Sequence, residues 1–257
     1  MNASNPVKVW FERDGKLLRL RLDRPKANIV DSEMISALDG ALAEHLENPA
    51  IHAVLLDSEG SHFCFGASVE EHLPEKCAAM LRAIHGLILR IAESPVPVLV
   101  AIRGQCLGGG LELALAAHLI FVAPDANLAQ PEINIGVLAP AASCLLPGRV
   151  GRAAAEDLLI SGRAISGDEA CKIGLANFVA EDPQQAALNY FDTHLASKSS
   201  SSLRHAVRAA RLGFGDSLRT QIMEVEDLYL NELMSSRDAV EGLVSFIEKR
   251  PARWENR

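Results

Sequence analysis

Aromatic and basic residues are both scarce in this 257-residue chain. Aromatic side chains make up 5%, and 25 lysines and arginines stand against 33 aspartates and glutamates, which gives a net charge of −8. No basic block alternates with aromatics in the manner of a nucleic-acid surface, so nucleic acid is not expected as a partner. Hydrophobic residues, at 49%, are sufficient for a large core, and the composition predicts an ordered globular protein.

Paired cysteines are missing as well. The five cysteines are spread singly along the chain, at Cys64, Cys77, Cys106, Cys144 and Cys171. Their number is odd, and neither a CxxC pair nor a Cys/His metal-binding spacing occurs. We therefore expect buried, unreactive thiols in a reducing compartment and no metal site.

Long apolar runs are absent. The longest, Leu111 to Ala123, contains Glu112 and His118 and is too short to cross a bilayer. The beginning of the chain, Met1 to Pro6, is polar and lacks the apolar segment of a signal peptide. These features predict a soluble, cytoplasmic protein that does not use a membrane as a partner.

The order of the apolar patterns predicts an α/β core followed by helices alone. Alternating runs on both sides of Asp14-Gly15 indicate a β-hairpin, and later strand patterns alternate with helical ones. After Asp182 only helical spacing remains. We expect a core over residues 1–182 that carries the active site and a helical region over 183–257.

The most informative stretch runs from Val96 to Glu132. An apolar strand-like run is followed by the three glycines Gly108, Gly109 and Gly110, and then by an apolar helical pattern. No GxGxxG and no Lys-Ser/Thr phosphate loop is present. The glycines are consistent either with a tight turn or close helix packing, or with a helix N-terminus whose free N–H groups bind an anion or a developing oxyanion.

Two acids in this stretch have apolar neighbours. Glu112 lies in the first turn of the predicted helix, where it is either a capping acid or a catalytic group. Glu132 follows Pro131 and is either an ordinary loop acid or the second member of a pair. Two carboxylates beside free N–H groups would suit acid–base chemistry on a carbonyl compound.

Six segments together resemble the enoyl-CoA hydratase/isomerase (crotonase) family over essentially the whole chain. They are, in order, LRLDRPKAN, HFCFGAS, AIRGQCLGGGLELALAAHLIFVA, AQPEINIG, ISGDEACKIGLAN and EGLVSFIEKRPARW. The resemblance implies a crotonase-like spiral of ββα units with a helical C-terminal trimerisation region. It also implies a homotrimer or a dimer of trimers, with the C-terminal region serving in oligomerisation and in covering the site.

The resemblance further implies a coenzyme A thioester as substrate and a role for particular residues. The N–H groups of Ala67 and Gly109 would form the oxyanion hole for the thioester carbonyl. Glu112 would activate water and Glu132 would supply the proton, or the two roles would be exchanged if water adds in a 1,4 manner. No separate cofactor is expected, because coenzyme A is part of the substrate and the thioester is the electron sink.

Further substrate-binding residues are expected around these groups. They are Lys26, Ala27, Gly66, Ser68, Val69 and Gly108. Lys26 is a candidate for the nucleotide end of coenzyme A. Lys249 and Arg250 could also approach its phosphates, or could simply form a solvated helix end.

Two segments depart from the common family pattern. Ser68 replaces the usual aspartate within GASVEEHLP, and GVLAPAASCLLP replaces a glycine-rich stretch, so that the methyl groups of Ala141 and Ala142 are expected to reshape the acyl pocket. Both segments resemble a subgroup that hydrates cyclohexa-1,5-diene-1-carbonyl-CoA in anaerobic benzoyl-CoA degradation. The alternatives are a generic short-chain 2-enoyl-CoA hydratase and a non-catalytic binding protein with this fold.

Overall fold

The computed structural model describes residues 5–257. Most of the polar start of the chain, from which the absence of a signal peptide was predicted, lies outside the described residues. The first described elements are the predicted hairpin: β1 (Val7–Glu12) pairs antiparallel with β2 (Leu17–Leu22). Arg13, Asp14 and Gly15 all have positive φ, as a tight hairpin turn requires.

The strands form two sheets. The remaining strands are β3 (Ala53–Ser58), β4 (Val98–Ile102), β5 (Gln105–Leu107), β6 (Leu119–Val122), β7 (Asn127–Ala129), β8 (Ile165–Ser166) and β9 (Phe178–Val179). The larger sheet has the order β1-β2-β3-β4-β6-β9, and all its pairings after the hairpin are parallel. The smaller sheet has the order β5-β7-β8.

Ten α-helices surround the sheets within residues 5–257. They are α1 (Ser32–His45), α2 (Pro74–Ala92), α3 (Gly109–Ala116), α4 (Pro140–Val150), α5 (Arg152–Ser161), α6 (Gly167–Lys172), α7 (Pro183–Tyr190), α8 (Ser200–Ala210), α9 (Phe214–Asp227) and α10 (Arg237–Ile247). Asp31 caps α1, because its side chain accepts the N–H of Met34. Short 3-10 or π-helical turns span Val69–His72, Pro131–Ile135, Phe191–Leu195, Leu228–Glu232 and Leu233–Ser235. No helix among the described residues is both long and apolar enough to cross a membrane.

The central strands of the large sheet are buried on both faces, which explains their nearly continuous apolar sequences. On β3, Val54 and Leu56 join the main core, whereas Ala53 and Leu55 join a second cluster beneath α7. Side chains alternate across a strand, so two cores require apolar residues at every position. All six residues of β3 are buried accordingly.

The helical region after residue 182 agrees with the sequence-based expectation, and the α4–α5 pair was not predicted. In α4, Pro140 occupies the first turn and Pro147 lies inside the helix. Proline normally indicates a helix boundary, and the two prolines in an 11-residue segment conceal the helix from pattern analysis. The last strand of the α/β core is short, because β9 forms only at Phe178–Val179.

Two arginines hold the C-terminal end of the short helix α3. Arg149 Nε donates to Leu115 O at 2.9 Å, and Arg211 donates to Ala116 O at 3.0 Å and to Ala117 O at 2.8 Å. The guanidinium of Arg149 also donates to Ala117 O. These bonds satisfy carbonyls that a helix end leaves without partners and place positive charge at the negative end of its dipole. Burial lowers the pKa of both arginines to about 10.

A substitution in α3 tests the close packing at its N-terminal end. A Cβ at Gly110 would lie 2.5 Å from Cys64 Cβ and 2.6 Å from its sulfur, whereas a Cβ at Gly40 in α1 would meet nothing within 4 Å. We expect Gly110→Ala to destabilise the fold by about 1–3 kcal/mol through overpacking. Gly40→Ala, the matched control, should stabilise α1 by about 0.5–1 kcal/mol. Urea unfolding at one protein concentration measures the free energy of unfolding of both variants. A Gly110→Ala protein as stable as the wild type would contradict this close packing.

Candidate active site

Two loops bring a pair of free N–H groups together. Val30 N donates to Gly66 O and Ser68 N donates to Val30 O, so the N–H of Ala67 between them faces away from Val30. Gly109 is the first residue of α3, where an N–H has no partner inside the helix. A Cβ built on Gly109 would lie 3.2 Å from Ala67 N, which shows how closely the two backbones approach.

Glu112 lies one turn into α3 and is only 4% exposed. Its Oε1 accepts the backbone N–H of Ala142 at 2.9 Å. Burial raises the pKa of Glu112, and the N–H groups of Ala142 and Ala141 together with the charge of His85 oppose that rise. Each opposing interaction favours the ionised carboxylate.

Glu132 is the second residue of the 3-10 turn Pro131–Ile135 and is half-buried. Its Oε1 lies 2.5 Å from the position that a Cβ on Gly108 would occupy, and Gly108 has φ +48°, so glycine is needed there for space and conformation. With its amide nitrogen turned toward the carboxylate, Gln130 donates to both oxygens at 3.2 Å. Burial, followed by the nearby charge of Glu112, raises the pKa of Glu132 to about 8.

These groups line one cavity of about 410 Å³. Its walls are mostly apolar, and the polar side chains among them are His72, Glu112, Glu132 and Asn134. Two grooves of larger volume, about 500 and 560 Å³, contain neither Glu112 nor Glu132, and the second is lined largely by charged residues. A buried apolar cavity with a carboxylate pair and two free N–H groups can hold a carbonyl compound and move protons on it.

Most of the predicted site residues meet at this cavity. Those that line it are Gly66, Ala67, Val69, Gly108, Gly109, Glu112 and Glu132. Ser68 lies behind it and begins the turn Val69–His72. Ala27 O accepts from Phe65 N at 2.9 Å, which places Ala27 beside the Ala67 loop, whereas Lys26 lies exposed on the surface.

Comparison with known proteins identifies the family. The model of the enoyl-CoA hydratase/isomerase family matches residues 12–257. This chain belongs to the enoyl-CoA hydratase/isomerase family. It is 64% identical over 255 residues, 99% of both chains, to the cyclohexa-1,5-dienecarbonyl-CoA hydratase of Thauera aromatica. It is 31% identical to a probable enoyl-CoA hydratase of Bacillus subtilis, covering 92% of this chain and 94% of that one.

Solved structures of the family share the fold. An enoyl-CoA hydratase from Mycobacterium avium superposes with a TM-score of 0.86 at 26% identity, over 98% of this chain and 100% of that one. The crotonase fold predicted from the sequence is therefore confirmed, with the mixed α/β core as expected.

Several cavity residues of this family member were not anticipated. His72, Ile84 and Phe246 line the cavity and were missed, and so was Gln130, which contacts the Glu132 carboxylate without lining the cavity. Gln130 and Phe246 lie within the segments AQPEINIG and EGLVSFIEKRPARW. His72 Nδ1 donates to Ser68 O at 2.7 Å, and burial lowers the pKa of its imidazole. The imidazole is therefore held neutral at the cavity wall.

The expectation for Ala141 and Ala142 is wrong. Both residues are fully buried and neither lines the cavity, so their methyl groups do not shape the acyl pocket directly. The altered segment acts instead through the N–H groups that face Glu112 and through Val137, Leu138 and Pro140, which do line the cavity.

Within residues 5–257, no group of three His, Cys, Asp or Glu side chains is arranged to hold a metal ion.

The proximity of the two glutamates can be tested by titration. In Glu112→Gln, the pKa of Glu132 should fall below its value of about 8, because a neighbouring negative charge has been removed. It should stay above the ordinary range, since burial is the larger cause. Infrared absorption of the protonated carboxyl follows this titration, with Glu132→Gln identifying the band. An unchanged titration of Glu132 in Glu112→Gln would contradict the coupling.

Proposed function

We propose that this protein is a hydro-lyase that adds water to cyclohexa-1,5-diene-1-carbonyl-CoA and forms 6-hydroxycyclohex-1-ene-1-carbonyl-CoA. The observation that carries the proposal is the 64% identity, over nearly all of both chains, to the Thauera aromatica hydratase. The paired glutamates in one apolar cavity support it, because hydration needs both a base and an acid.

The N–H groups of Ala67 and Gly109 would hold the thioester oxygen. Attack by water moves negative charge onto that oxygen, and two preorganised donors stabilise the resulting enolate. Loss of one such donor typically lowers the rate by about 10²- to 10³-fold. The thioester thus provides the electron sink, and the proposed reaction needs no further cofactor.

Glu112 would act as the base and Glu132 as the acid. Two adjacent buried carboxylates cannot both ionise readily, so the pair tends to hold one proton. The pKa of Glu132, raised to about 8, leaves the proton on that residue at neutral pH. Glu112, whose carboxylate accepts the N–H of Ala142, would then take a proton from water as its hydroxyl adds to the ring.

The connectivity of the ring specifies where each glutamate must act. In the dienoyl thioester, C2 is the β carbon that is conjugated to the carbonyl, so the hydroxyl adds there. The electron pair of the C1–C2 bond moves onto the thioester oxygen, and the dienolate takes a proton at C5. The double bond then lies between C1 and C6, and renumbering gives the 6-hydroxy-1-ene. Glu112 would therefore face C2, and Glu132 would face C5 on the opposite side of the ring.

The C-terminal region would have two roles outside the catalytic step. We propose that residues 183–257 both cover the site and join subunits into a homotrimer or a dimer of trimers. Phe246 of α10 lines the cavity, and Leu212 and Met223 leave apolar side chains 83% and 67% exposed. Apolar side chains of this kind would be buried if they formed part of a contiguous subunit interface.

The nucleotide end of coenzyme A would lie toward Lys26 and Ala27. Lys26 is exposed, and Ala27 pairs with the loop that carries Ala67. Arg250 is already bound to Glu241, with its Nη2 at 2.8 Å from Oε2, which favours the structural interpretation for that arginine. Five unpaired cysteines are consistent with a cytoplasmic protein.

Substitution of each glutamate tests its role. Glu112→Gln and Glu132→Gln should each abolish most hydration while coenzyme A thioester binding, measured by calorimetry, stays nearly unchanged. The amide keeps the shape of the side chain but neither accepts nor donates the required proton. Glu70→Gln, which changes an exposed glutamate next to the same loop, is the matched control. Rates close to wild type in either catalytic variant would refute the assignment.

Hydration in D₂O tests both the substrate and the regiochemistry. The product should carry deuterium at C3, which is C5 of the substrate before renumbering, whereas direct addition across the C5–C6 bond would place it at C5. Crotonyl-CoA, offered under the same conditions, should be the poorer substrate. A clear preference for crotonyl-CoA would instead identify a generic short-chain enoyl-CoA hydratase.

A further inference from the structure

One polar side chain at the cavity wall has no role in the proposed reaction as described so far. His72 is half-buried and ends the 3-10 turn Val69–His72, which begins directly after the loop that carries Ala67. This turn packs against α2 and α10, and both helices also contribute side chains to the cavity. His72 itself lines the cavity together with the two glutamates.

A hydrogen bond to the backbone fixes the tautomer of His72. Its Nδ1 lies 2.7 Å from the carbonyl oxygen of Ser68, four positions earlier in the chain. A carbonyl oxygen only accepts, so Nδ1 carries the ring proton. Burial lowers the pKa of the imidazole, and a second proton is therefore not bound at neutral pH. Nε2 is left as a neutral acceptor with a lone pair.

This acceptor is free and accessible. Nε2 of His72 has no hydrogen-bond partner within residues 5–257. Nε2 of His85 and of His118 also lack partners, but those two atoms are fully buried, whereas Nε2 of His72 is not. A neutral acceptor on a side chain that lines an apolar cavity is thus available to a molecule bound there.

The water that adds to the ring needs an acceptor of this kind. It brings two protons, of which Glu112 would take one, while the other stays on the oxygen that bonds to C2. Glu132 would face C5 on the opposite side of the ring, so it is not placed to hold the remaining O–H. An O–H donor without an acceptor is costly in an apolar cavity, both in the bound water and in the product.

Other acceptors at the cavity are less suited to this O–H group. The ring is a hydrocarbon, and the thioester oxygen is assigned to the two oxyanion donors. Asn134 is exposed to solvent, and the carbonyl oxygens of Gly66 and Gly108 already accept backbone N–H groups. Nε2 of His72 is the acceptor at the wall to which neither the fold nor the reaction assigns a partner.

We propose that Nε2 of His72 accepts the O–H that remains on the adding water and then holds the hydroxyl group of the product. The inference rests on the proposed hydration and names a residue that makes the cavity selective for a hydroxylated ring. The histidine gains no proton in this step. The bond from oxygen to C2 forms, one water proton passes to Glu112, and the other stays on the oxygen while it donates to Nε2.

Substitution by asparagine separates the two nitrogens of His72. In His72→Asn the amide nitrogen can still donate to Ser68 O from near the position of Nδ1, but no atom takes the place of Nε2. Binding is measured by calorimetry in the Glu132→Gln background, where product analysis verifies that the ligands stay unchanged. Affinity for 6-hydroxycyclohex-1-ene-1-carbonyl-CoA should fall about 3- to 10-fold, the loss expected for one neutral hydrogen bond. Affinity for cyclohex-1-ene-1-carbonyl-CoA, which lacks only the hydroxyl, should change little.

His72→Gln provides the reciprocal variant. Its longer side chain carries an amide oxygen to the region of Nε2, so part of the preference for the hydroxylated ring should return. A merely structural role would instead favour His72→Asn, which keeps the bond to Ser68 O.

The unsubstituted histidine gives a direct signature in ¹⁵N NMR of histidine-labelled protein. The Nε2 signal of His72, identified by its loss in His72→Asn or His72→Gln, should move when the hydroxylated thioester binds. It should stay in place when the thioester without the hydroxyl binds. This measurement keeps the proposal testable where one of the two variants does not fold.

The matched control is His205→Asn. His205 Nδ1 lies 2.8 Å from Ser201 O, again four positions earlier, but this histidine is exposed on α8 and does not line the cavity. The control should leave both affinities unchanged. An equal loss of both thioesters in His72→Asn would show that Nε2 serves the coenzyme A arm or the fold, and it would overturn the proposal. So would unchanged binding of the hydroxylated ring.

The proposed hydration is judged separately, from turnover of cyclohexa-1,5-diene-1-carbonyl-CoA by the wild type. Turnover without any discrimination of the hydroxyl by His72 would refute the role of the histidine alone. Discrimination of the hydroxyl without turnover would refute the proposed hydration and leave the binding role of His72 in place.

Discussion

The repulsion between two carboxylates in one apolar cavity is the constraint on which the site depends. Glu112 and Glu132 each lie where burial disfavours charge, and the charge of Glu112 makes ionisation of Glu132 harder still. The structure resolves this conflict unevenly: Glu112 accepts a backbone N–H, whereas Glu132 lies against Gly108 with its pKa at about 8. Two chemically identical side chains thereby become suited to opposite steps of one reaction.

The helix that carries Glu112 is short and is held at both ends. Its N-terminal end requires glycines because Ala67, Cys64 and the Glu132 carboxylate all approach its backbone closely. Its C-terminal carbonyls are bound by Arg149 and Arg211, which come from α4 and from the residue after α8. An eight-residue helix has little stability of its own. The position of the Gly109 N–H group therefore depends on parts of the chain that are remote in sequence.

Local features of the chain were predictable from sequence, and features created by folding were not. The hairpin at Asp14-Gly15, the cap at Asp31 and the helices after residue 182 follow from turn chemistry and spacing that need no tertiary information. The grouping of Glu112 with Glu132 was predictable because a family motif surrounds each. Helix α4 was missed because Pro140 and Pro147 are normally helix boundaries.

The other features that the sequence did not reveal have one physical cause. They are pairs of residues that are far apart in the sequence and come into contact only when the chain folds. His85 and Glu226 are 141 positions apart, and each alone reads as an ordinary residue of an amphipathic helix. The sequence led us to expect that the methyl groups of Ala141 and Ala142 shape the acyl pocket. In the structure it is their backbone N–H groups that face Glu112. The amino-acid type of a residue does not show which way its backbone N–H group will face in the folded chain. The segment from Gly136 to Pro147 therefore affects both the electrostatic surroundings of Glu112 and the shape of the cavity, since Val137 and Leu138 belong to the same stretch.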